Sequence, residues 1–198
     1  MTLCFATNNA NKLAEIAALL GDQFTLKTLQ DIGCLEEIPE TQDTIPGNSH
    51  QKAEHVWAHY HVNCFADDSG LEVDALDGAP GVHSAYYGGH PRSYERNLNL
   101  LLTNLKDQTN RRARFRTVIT LVIDGQYQSF EGVAEGQILT EPRGTGGFGY
   151  DPIFQPDGHD RTFAEMSMEE KGDISHRGKA FAKLVAFLKE LPVPPSPS

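Results

Sequence analysis

One segment, ARFRTVITLVIDGQYQSFEGVAEG at residues 113–136, carries most of the information about fold class. It contains two long runs rich in β-branched and aromatic residues, 113–123 and 127–136, on either side of Asp124-Gly125. Aspartate and glycine tolerate the positive φ angles that a two-residue type I′ turn requires. The segment therefore predicts a long β-hairpin.

Shorter strands and amphipathic helices are predicted on both sides of this hairpin. Apolar runs predict strands at 3–6, 24–28 and 64–66, the last ending in an acidic turn. Apolar residues at helical spacing predict helices that include 13–20, 53–60, 98–105 and 181–191. Mixed strands and helices with one long hairpin are typical of an α/β or α+β fold with a mixed sheet.

Length and charge narrow the class of protein. The chain has 198 residues and a formal net charge of −10, from 27 acidic and 17 basic side chains. This length fits one domain with a real core, and we assign it to residues 1–191. The acidic balance argues against a duplex nucleic-acid partner but permits a small anionic ligand or a metal-dependent site.

Three further features bear on where the protein works. No apolar run approaches the roughly 18 residues of a membrane span, and the N-terminus predicts no signal peptide. Cys4, Cys34 and Cys64 form no CxxC pair, which favours a reducing cytoplasm over a disulfide framework. The proline-rich segment 192–198 predicts a disordered tail.

Two segments are candidates for binding a phosphate and a metal ion. TNNANK at 7–12 joins a strand to a helix, where free N–H groups and Lys12 suit a phosphate; an asparagine-rich helix cap is the alternative. Five carboxylates lie within residues 67–77, and hard oxygen ligands without nearby Cys or His suit Mg²⁺. An acidic surface turn explains the same residues equally well.

Two later segments are candidates for binding a base. GTGGFGYDP at 144–152 combines glycines, which allow close backbone approach, with Phe148 and Tyr150, which can stack on a base; a flexible turn is the alternative. EEKGDISHRG at 169–178 places cationic and imidazole donors before the last helix, although a solvated loop has the same composition. His55 and His59 lie four residues apart on one helix face and are interpreted as solvated residues, with a metal-binding pair as the alternative; Cys4 and Cys64 are interpreted as core residues.

Taken together, these blocks resemble the inosine triphosphatase family of nucleoside triphosphate pyrophosphatases. The resemblance extends from Leu3 to about Leu191. It rests on ATNNANK at 6–12, PETQ at 39–42 with Asn48 and Lys52, the long block ADDSGLEVDALDGAPGVHSA at 66–85, GTGGFGYDPIF at 144–154, and EEKGDISHRGKA at 169–180. The ADDSGL, GTGGFGYDP and SHRG blocks are specific in combination.

The resemblance implies a fold, a reaction and an assembly. The fold would be an elongated α/β domain, whose long mixed sheet carries helices on its faces and forms two lobes around a central nucleotide cleft. The activity would be Mg²⁺-dependent hydrolysis of ITP, dITP and XTP to the monophosphate and pyrophosphate, which keeps these nucleotides out of DNA and RNA. The protein would be a homodimer.

The resemblance also implies roles for individual residues. The triphosphate would contact Thr7, Asn8, Asn9, Ala10, Asn11, Lys12 and Lys52. Glu40 and Asp68 would bind Mg²⁺, and Asp68 would take the proton of the attacking water, supported by Asp67 and Lys12. Ser69 would touch the substrate. The base would be surrounded by Phe148, Gly149, Tyr150, Asp151, Lys171, His176 and Arg177.

Three positions depart from the family pattern. Asn8 stands where glycine is usual, Gly47 where an acidic residue is frequent, and Tyr86 where arginine is common. Gly47 puts the start of its helix in question, and Asn8 raises the question of a left-handed backbone. Two alternatives remain: a Maf-like pyrophosphatase acting on pyrimidine or methylated nucleotides, and a silent nucleotide-binding protein. An interaction module has support only from the proline-rich tail.

Overall fold

The computed structural model describes residues 1–192, so all of the predicted tail at 192–198 except Pro192 lies outside the described residues. It contains six strands: β1 (Thr2–Phe5), β2 (Thr25–Lys27), β3 (Cys64–Val73), β4 (Arg112–Ile123), β5 (Gln126–Ile138) and β6 (Phe154–Pro156). The α-helices are α1 (Ala10–Leu20), α2 (Ile45–Tyr60), α3 (Tyr94–Asn104), α4 (Met168–Ile174) and α5 (His176–Glu190). Short 3₁₀ turns connect several of these elements.

The six strands form one mixed sheet in the order β2-β1-β3-β4-β5-β6. β1 is parallel to β2 and β3, whereas the neighbours from β3 to β6 are antiparallel. α2 packs against β3 and β4, and α5 packs against β4 and β5. The mixed sheet with helices on its faces confirms the predicted α/β fold class.

The central hairpin is confirmed in its turn and its register. Ile123 pairs with Gln126, and both turn residues have positive φ, 48° at Asp124 and 79° at Gly125. These are the signs that a type I′ turn requires. The pairing continues to Arg112 and Gln137, so every residue of β4 is paired with a residue of β5.

The strand at 64–66 is longer than predicted, and this moves the acidic residues. β3 continues to Val73, so Asp67 and Asp68 lie inside the strand and the predicted acidic turn after Ala66 is wrong. The reason is tertiary: every residue from Cys64 to Val73 pairs with β4. Adjacent residues of a strand face opposite sides of a sheet, so the two carboxylates point in different directions.

The last helical region also differs from the prediction. Residues 168–174 form α4 instead of a loop, and α5 begins at His176, five residues before the apolar stripe that predicted it. Ser175 caps α5 by accepting a hydrogen bond from the Gly178 amide at 2.9 Å. His176 and Arg177 therefore lie in the first turn of α5.

The buried side chains form a core on both faces of one part of the sheet and a second core beyond it. Phe5, Phe65 and Ile119 face α1 and α5, while their neighbours Cys4 and Cys64 face α2. A separate cluster around Leu71, Phe115 and Phe154 joins the far halves of the strands to α3. Cys4 and Cys64 are core residues, as predicted.

Within the part of the chain that the structure describes, no helix combines the length and apolar character needed to cross a bilayer.

Candidate active site

A cleft of about 1480 Å³ opens beside β3 at the point where its neighbour ends. β1 pairs with β3 only at Cys4 and Phe5, and a last backbone bond joins the Ala6 amide to the Phe65 carbonyl at 2.9 Å. β3 continues for eight more residues without β1 beside it. The strand edge past Phe65 therefore forms one wall of the cleft.

The cleft brings together most of the residues that the sequence predicted. Its lining includes Thr7, Asn8, Asn9, Lys12, Glu40, Lys52, Asp68, Ser69, Phe148, Gly149, Tyr150, Asp151, His176 and Arg177. Four predicted residues are not in this lining. Ala10 and Asn11 lie in the first turn of α1, whereas Asp67 and Lys171 lie behind residues that do line it.

The segment between β1 and α1 forms a capped helix start that faces the cleft. The Asn9 side chain accepts hydrogen bonds from the Asn11 and Lys12 amides at 2.9 and 3.3 Å. The asparagine cap and the candidate phosphate site are thus the same structure. Asn8 is not among the residues with positive φ, so its replacement of glycine introduces no left-handed strain.

Lys12 extends from α1 to the buried carboxylate of Asp67. Its ammonium nitrogen lies 3.1 Å from Oδ2 of Asp67, which is fully buried. Burial lowers the pKa of Lys12, Asp67 opposes this effect, and the neighbouring charges of Lys52 and Arg177 add to it. Burial alone would raise the pKa of Asp67, but Lys12, Lys52 and Arg177 hold it below its ordinary value. The negative charge of an anion bound here would offset the repulsion among these three cations.

Asp68 faces the other side of the sheet and looks into the cleft. Its Oδ2 is buried and has no hydrogen-bond partner among the described residues. Burial, together with the negative charges of Glu40 and Asp67, raises the pKa of Asp68 to about 6, against the opposing effect of Lys52 and Lys12. A buried carboxylate oxygen without a partner is the feature that a bound cation would satisfy.

Lys52 pairs with Glu40 in the same part of the cleft. The Lys52 ammonium pairs with the Glu40 carboxylate at 2.7 Å, and Glu40 is still half-exposed to the cleft. Burial alone would lower the pKa of Lys52, but Asp67, Glu40 and Asp68 raise it. α2, which carries Lys52, begins at Ile45 with Thr44 as its cap, so Gly47 does not disturb the helix start.

The opposite wall is built from the glycine-rich turn and the start of α5. Phe148 is half-buried, and its ring lies 4.9 Å from the Lys171 ammonium and 5.0 Å from the Arg177 guanidinium. Asp151 holds the turn by accepting from the Phe148 amide at 3.0 Å and from Lys171 at 2.7 Å. Lys171 therefore contacts the Phe148 ring and Asp151, and it does not itself line the cleft.

His176 and Arg177 offer unpartnered polar atoms in this wall. Nδ1 of His176 and Nε of Arg177 are buried without hydrogen-bond partners in residues 1–192. The His176 ring stacks on Phe115 with 4.5 Å between ring centroids. Burial and the charges of Arg177 and Lys171 lower the pKa of His176 well below its ordinary value, so the imidazole is neutral at pH 7.

Sequence reasoning missed Glu15, which joins the two halves of the site. From α1 it accepts from Arg177 at 3.0 Å and from Lys171 at 3.3 Å. Its position one helical turn after Lys12 was the available signal, because residues at i and i+3 share a helix face. Phe115, Tyr94 and Tyr87 also contribute to the cleft and carried no local signal.

The chain matches a known protein family over almost its whole length. The family model described as the Ham1 family matches residues 3–187. The dITP/XTP pyrophosphatase of Flavobacterium johnsoniae is 51% identical over 188 residues, which cover 95% of this chain and 98% of that protein. The dITP/XTP pyrophosphatase of Porphyromonas gingivalis is 53% identical over 187 residues, 94% of this chain and 96% of that protein.

Two solved structures share the fold over nearly their whole length. The Ham1 protein of Staphylococcus aureus aligns with a TM-score of 0.88 at 37% identity, covering 96% of this chain and 98% of that chain. A HAM1 protein from Coxiella burnetii aligns with a TM-score of 0.90 at 37% identity, covering 96% and 100% of the two chains.

Proposed function

This chain belongs to the Ham1 family, and from that premise we propose that it hydrolyses ITP, dITP and XTP to the monophosphate and pyrophosphate. The observation that carries the proposal is one cleft with three parts. It joins a capped helix start, a buried carboxylate with a free oxygen, and an aromatic turn beside unpartnered donors. These parts suit a triphosphate, a divalent cation and a purine base. The names of the relatives support the same chemistry.

Asp68 and Glu40 are the residues that would hold Mg²⁺. Asp68 offers a buried oxygen without a partner, and Glu40 lies close enough to raise the pKa of Asp68. Carboxylate oxygens are the ligands that Mg²⁺ prefers. When bound, Mg²⁺ would offset phosphate charge and lower the pKa of a coordinated water. Asp68 would orient the attacking water and accept its proton.

The start of α1 would bind the triphosphate. The positive end of the α1 helix dipole faces the cleft beside Thr7–Asn9. Lys12 and Lys52 bring cationic charge into the same space and would offset the charge that develops on the leaving pyrophosphate. Asp67 would hold Lys12 in place through its 3.1 Å ion pair.

The opposite wall would select the base. Phe148 offers a ring face for stacking, and Arg177 and neutral His176 offer donors to a 6-keto oxygen. Adenine presents a 6-amino donor at that place, which would leave buried donors unpaired. A mismatch of this kind can reject a substrate by a factor of about 10⁴.

The cellular role that follows is removal of ITP, dITP and XTP before they enter DNA and RNA. A cytoplasmic location agrees with the three free, buried thiols. We also propose a homodimer, as the resemblance implies, and light scattering on the purified protein would test the assembly directly.

The test is pyrophosphate release from ITP, XTP, ATP, GTP, dCTP and dTTP, each with Mg²⁺ and with a chelator. We expect fast, Mg²⁺-dependent release from ITP and XTP alone. Asp68→Asn should slow the release by about 10² to 10⁴-fold, while Asp74→Asn, a change at an exposed carboxylate outside the cleft, should leave the rate unchanged. Release from the pyrimidine nucleotides would favour the Maf-like alternative, and nucleotide binding without release would favour a silent binding protein.

A further inference from the structure

A second group of metal-binding side chains lies outside the cleft. The Cys34 thiol, the Glu36 carboxylate and the His55 imidazole offer ligand atoms that all lie within 4.8 Å of one another. Among residues 1–192, no other group of three histidine, cysteine or acidic side chains meets that distance. None of the three residues lines the cleft. We refer to Cys34, Glu36 and His55 as the thiol cluster.

The fold holds the thiol cluster in place from two elements. Cys34 and Glu36 belong to the connection between β2 and α2, and His55 projects from α2. Cys34 is 4% exposed and packs with Ala53 and Val56 of α2. Nε2 of His55 lies 3.2 Å from Oε1 of Glu36, and the His55 side chain is only 15% exposed. His55 is therefore not the solvated residue that the sequence predicted.

Neighbouring side chains orient these ligands. The Tyr60 hydroxyl donates to both carboxylate oxygens of Glu36, at 2.6 and 2.7 Å. The His59 ring stacks on the His55 ring with 4.2 Å between centroids, and Nδ1 of His59 lies 2.8 Å from the His55 carbonyl. Partners of this kind fix ligand orientation in metal sites.

The donor set points to zinc rather than magnesium. One thiolate, one imidazole and one carboxylate are the three ligand types that Zn²⁺ accepts, whereas Mg²⁺ takes oxygen ligands. Zinc bonds of about 2.0 to 2.3 Å separate tetrahedral ligands by about 3.3 to 3.8 Å. His55 and Glu36 already stand at 3.2 Å. We propose that the thiol cluster binds one Zn²⁺, with Cys34 releasing its proton and binding as the thiolate.

Such an ion would support the cleft without taking part in the chemistry. The connection that carries Cys34 and Glu36 continues directly into Glu37, Ile38, Pro39 and Glu40, which line the cleft. Much of this connection has no helix or strand of its own. A zinc ion shared with α2 would fix it at its middle, and so would hold the wall that carries Glu40.

Cobalt is the probe for this site, because Co²⁺ occupies tetrahedral zinc sites and a thiolate ligand gives it a charge-transfer band in the near ultraviolet. The full-length protein is stripped with a chelator, returned to chelator-free buffer and titrated with Co²⁺. We expect the band to saturate at one ion per chain and to disappear when Zn²⁺ is added. Cys4 and Cys64 are buried in the sheet core, so the band would report on Cys34.

Matched variants separate zinc binding from hydrogen bonding. Cys34→Ser and, as a second variant at a less buried position, His55→Gln should each weaken zinc affinity by more than about 100-fold, because even loss of an outer partner costs 10 to 100-fold. His50→Gln changes an exposed histidine of the same helix and should retain the band. Asp68→Asn should retain it too. Zn²⁺ should raise the melting temperature of the wild type and not that of Cys34→Ser.

Absence of the band from the stripped, folded wild-type protein would overturn the proposal and leave the thiol cluster as a hydrogen-bonded link between the connection and α2. A band that survives in folded Cys34→Ser would overturn it as well. Both results are independent of nucleotide hydrolysis, so failure here would leave the proposed function untouched.

Discussion

Asp67 and Asp68 are neighbours in β3, and the strand sends them to opposite sides of the sheet. Asp67 faces α1 and pairs with Lys12, whereas Asp68 faces the cleft beside Lys52 and Glu40. Neither Oδ2 accepts a hydrogen bond from a described residue, but the Lys12 ammonium lies 3.1 Å from Oδ2 of Asp67, whereas no cation pairs with Asp68 among residues 1–192. Asp67 therefore holds the Lys12 ammonium in position, and Asp68 is the carboxylate that we propose to bind the metal ion and the water.

Replacement of Asp68 tests this difference between the two carboxylates. Asp68→Asn keeps the shape of the side chain but removes the charge that would bind Mg²⁺ and accept a proton. We expect the variant to fold and bind ITP, with kcat lower by about 10² to 10⁴-fold, the usual contribution of a general base. Steady-state kinetics together with binding of ITP by calorimetry would check this. A variant with a near wild-type kcat would remove Asp68 from the mechanism.

A second prediction at this scale concerns Glu15 and pH. Burial alone would raise the pKa of Glu15, but Arg177 and Lys171 lower it below its ordinary value of 4.5. Because the folded pKa is lowered, its contribution to stability is present above about pH 4.5 and is lost as the pH falls further. We expect Glu15→Gln to cost about 3 kcal/mol of unfolding free energy at pH 7, where buried Arg177 loses its carboxylate partner and Lys171 keeps only Asp151.

Urea unfolding of both proteins at pH 7 and near pH 3 measures that difference, which should shrink at the lower pH. Glu54→Gln is the control, because it removes an exposed carboxylate whose partner His50 is also exposed. A Glu15→Gln cost that does not change with pH would contradict the ion-pair account.

At the scale of elements, the junction of α4 and α5 positions most of the base-binding wall. Gly178 in the first turns of α5 packs directly on the backbone of α4, where a Cβ atom would overlap the Gly172 carbonyl oxygen. Lys171 comes from α4 and Arg177 from α5, and both bind Glu15. The close backbone contact therefore sets the spacing of these side chains.

The two glycines at this junction should respond oppositely to alanine. Gly178→Ala forces the helices apart and should destabilise the protein by about 3 kcal/mol, the upper part of the overpacking range. Gly172→Ala meets no atom within 4 Å and should be neutral or stabilising by up to about 1 kcal/mol, through helix propensity. Chemical unfolding of both variants gives the comparison. Equal effects would mean that the helices do not pack as described.

The sequence predicted those elements whose signals are local. The hairpin turn follows from Asp124 and Gly125 alone, and an asparagine-rich cap was the alternative prediction for residues 7–12, where Asn9 is the cap. The extent of β3 did not follow, because residues 67–70 in its middle are polar or glycine and are part of a strand only through pairing with β4. α4 was not predicted for a similar reason. Its seven residues include Gly172 and have a single buried side chain, Lys171, so the helix has no apolar stripe.

For the whole molecule, the sheet is the structure that both cores share. β3, β4 and β5 run from the core around Phe5 to the core around Phe115, and the cleft lies along this shared sheet. The motifs predicted which residues would meet in the cleft, but they did not predict which of these residues contact each other. The contacts of Glu15 with Lys171 and Arg177, which are distant in sequence, are seen only in the structure.

The shared sheet predicts that residues 1–191 unfold as a single domain. Trp57, the one tryptophan, reports on the core beneath α2, and far-ultraviolet circular dichroism reports on the whole chain. We expect the two probes to give the same urea midpoint, because neither core can lose the long strands independently. Two separate midpoints would divide the chain into two units.

The central claim is that one cleft cleaves a purine nucleoside triphosphate between its α and β phosphates. The most direct measurement is ³¹P nuclear magnetic resonance of ITP incubated with the protein and Mg²⁺. The account predicts IMP and pyrophosphate in equal amounts, with neither formed when a chelator is present. IDP and orthophosphate as the products, or unchanged ITP with a folded protein, would contradict it.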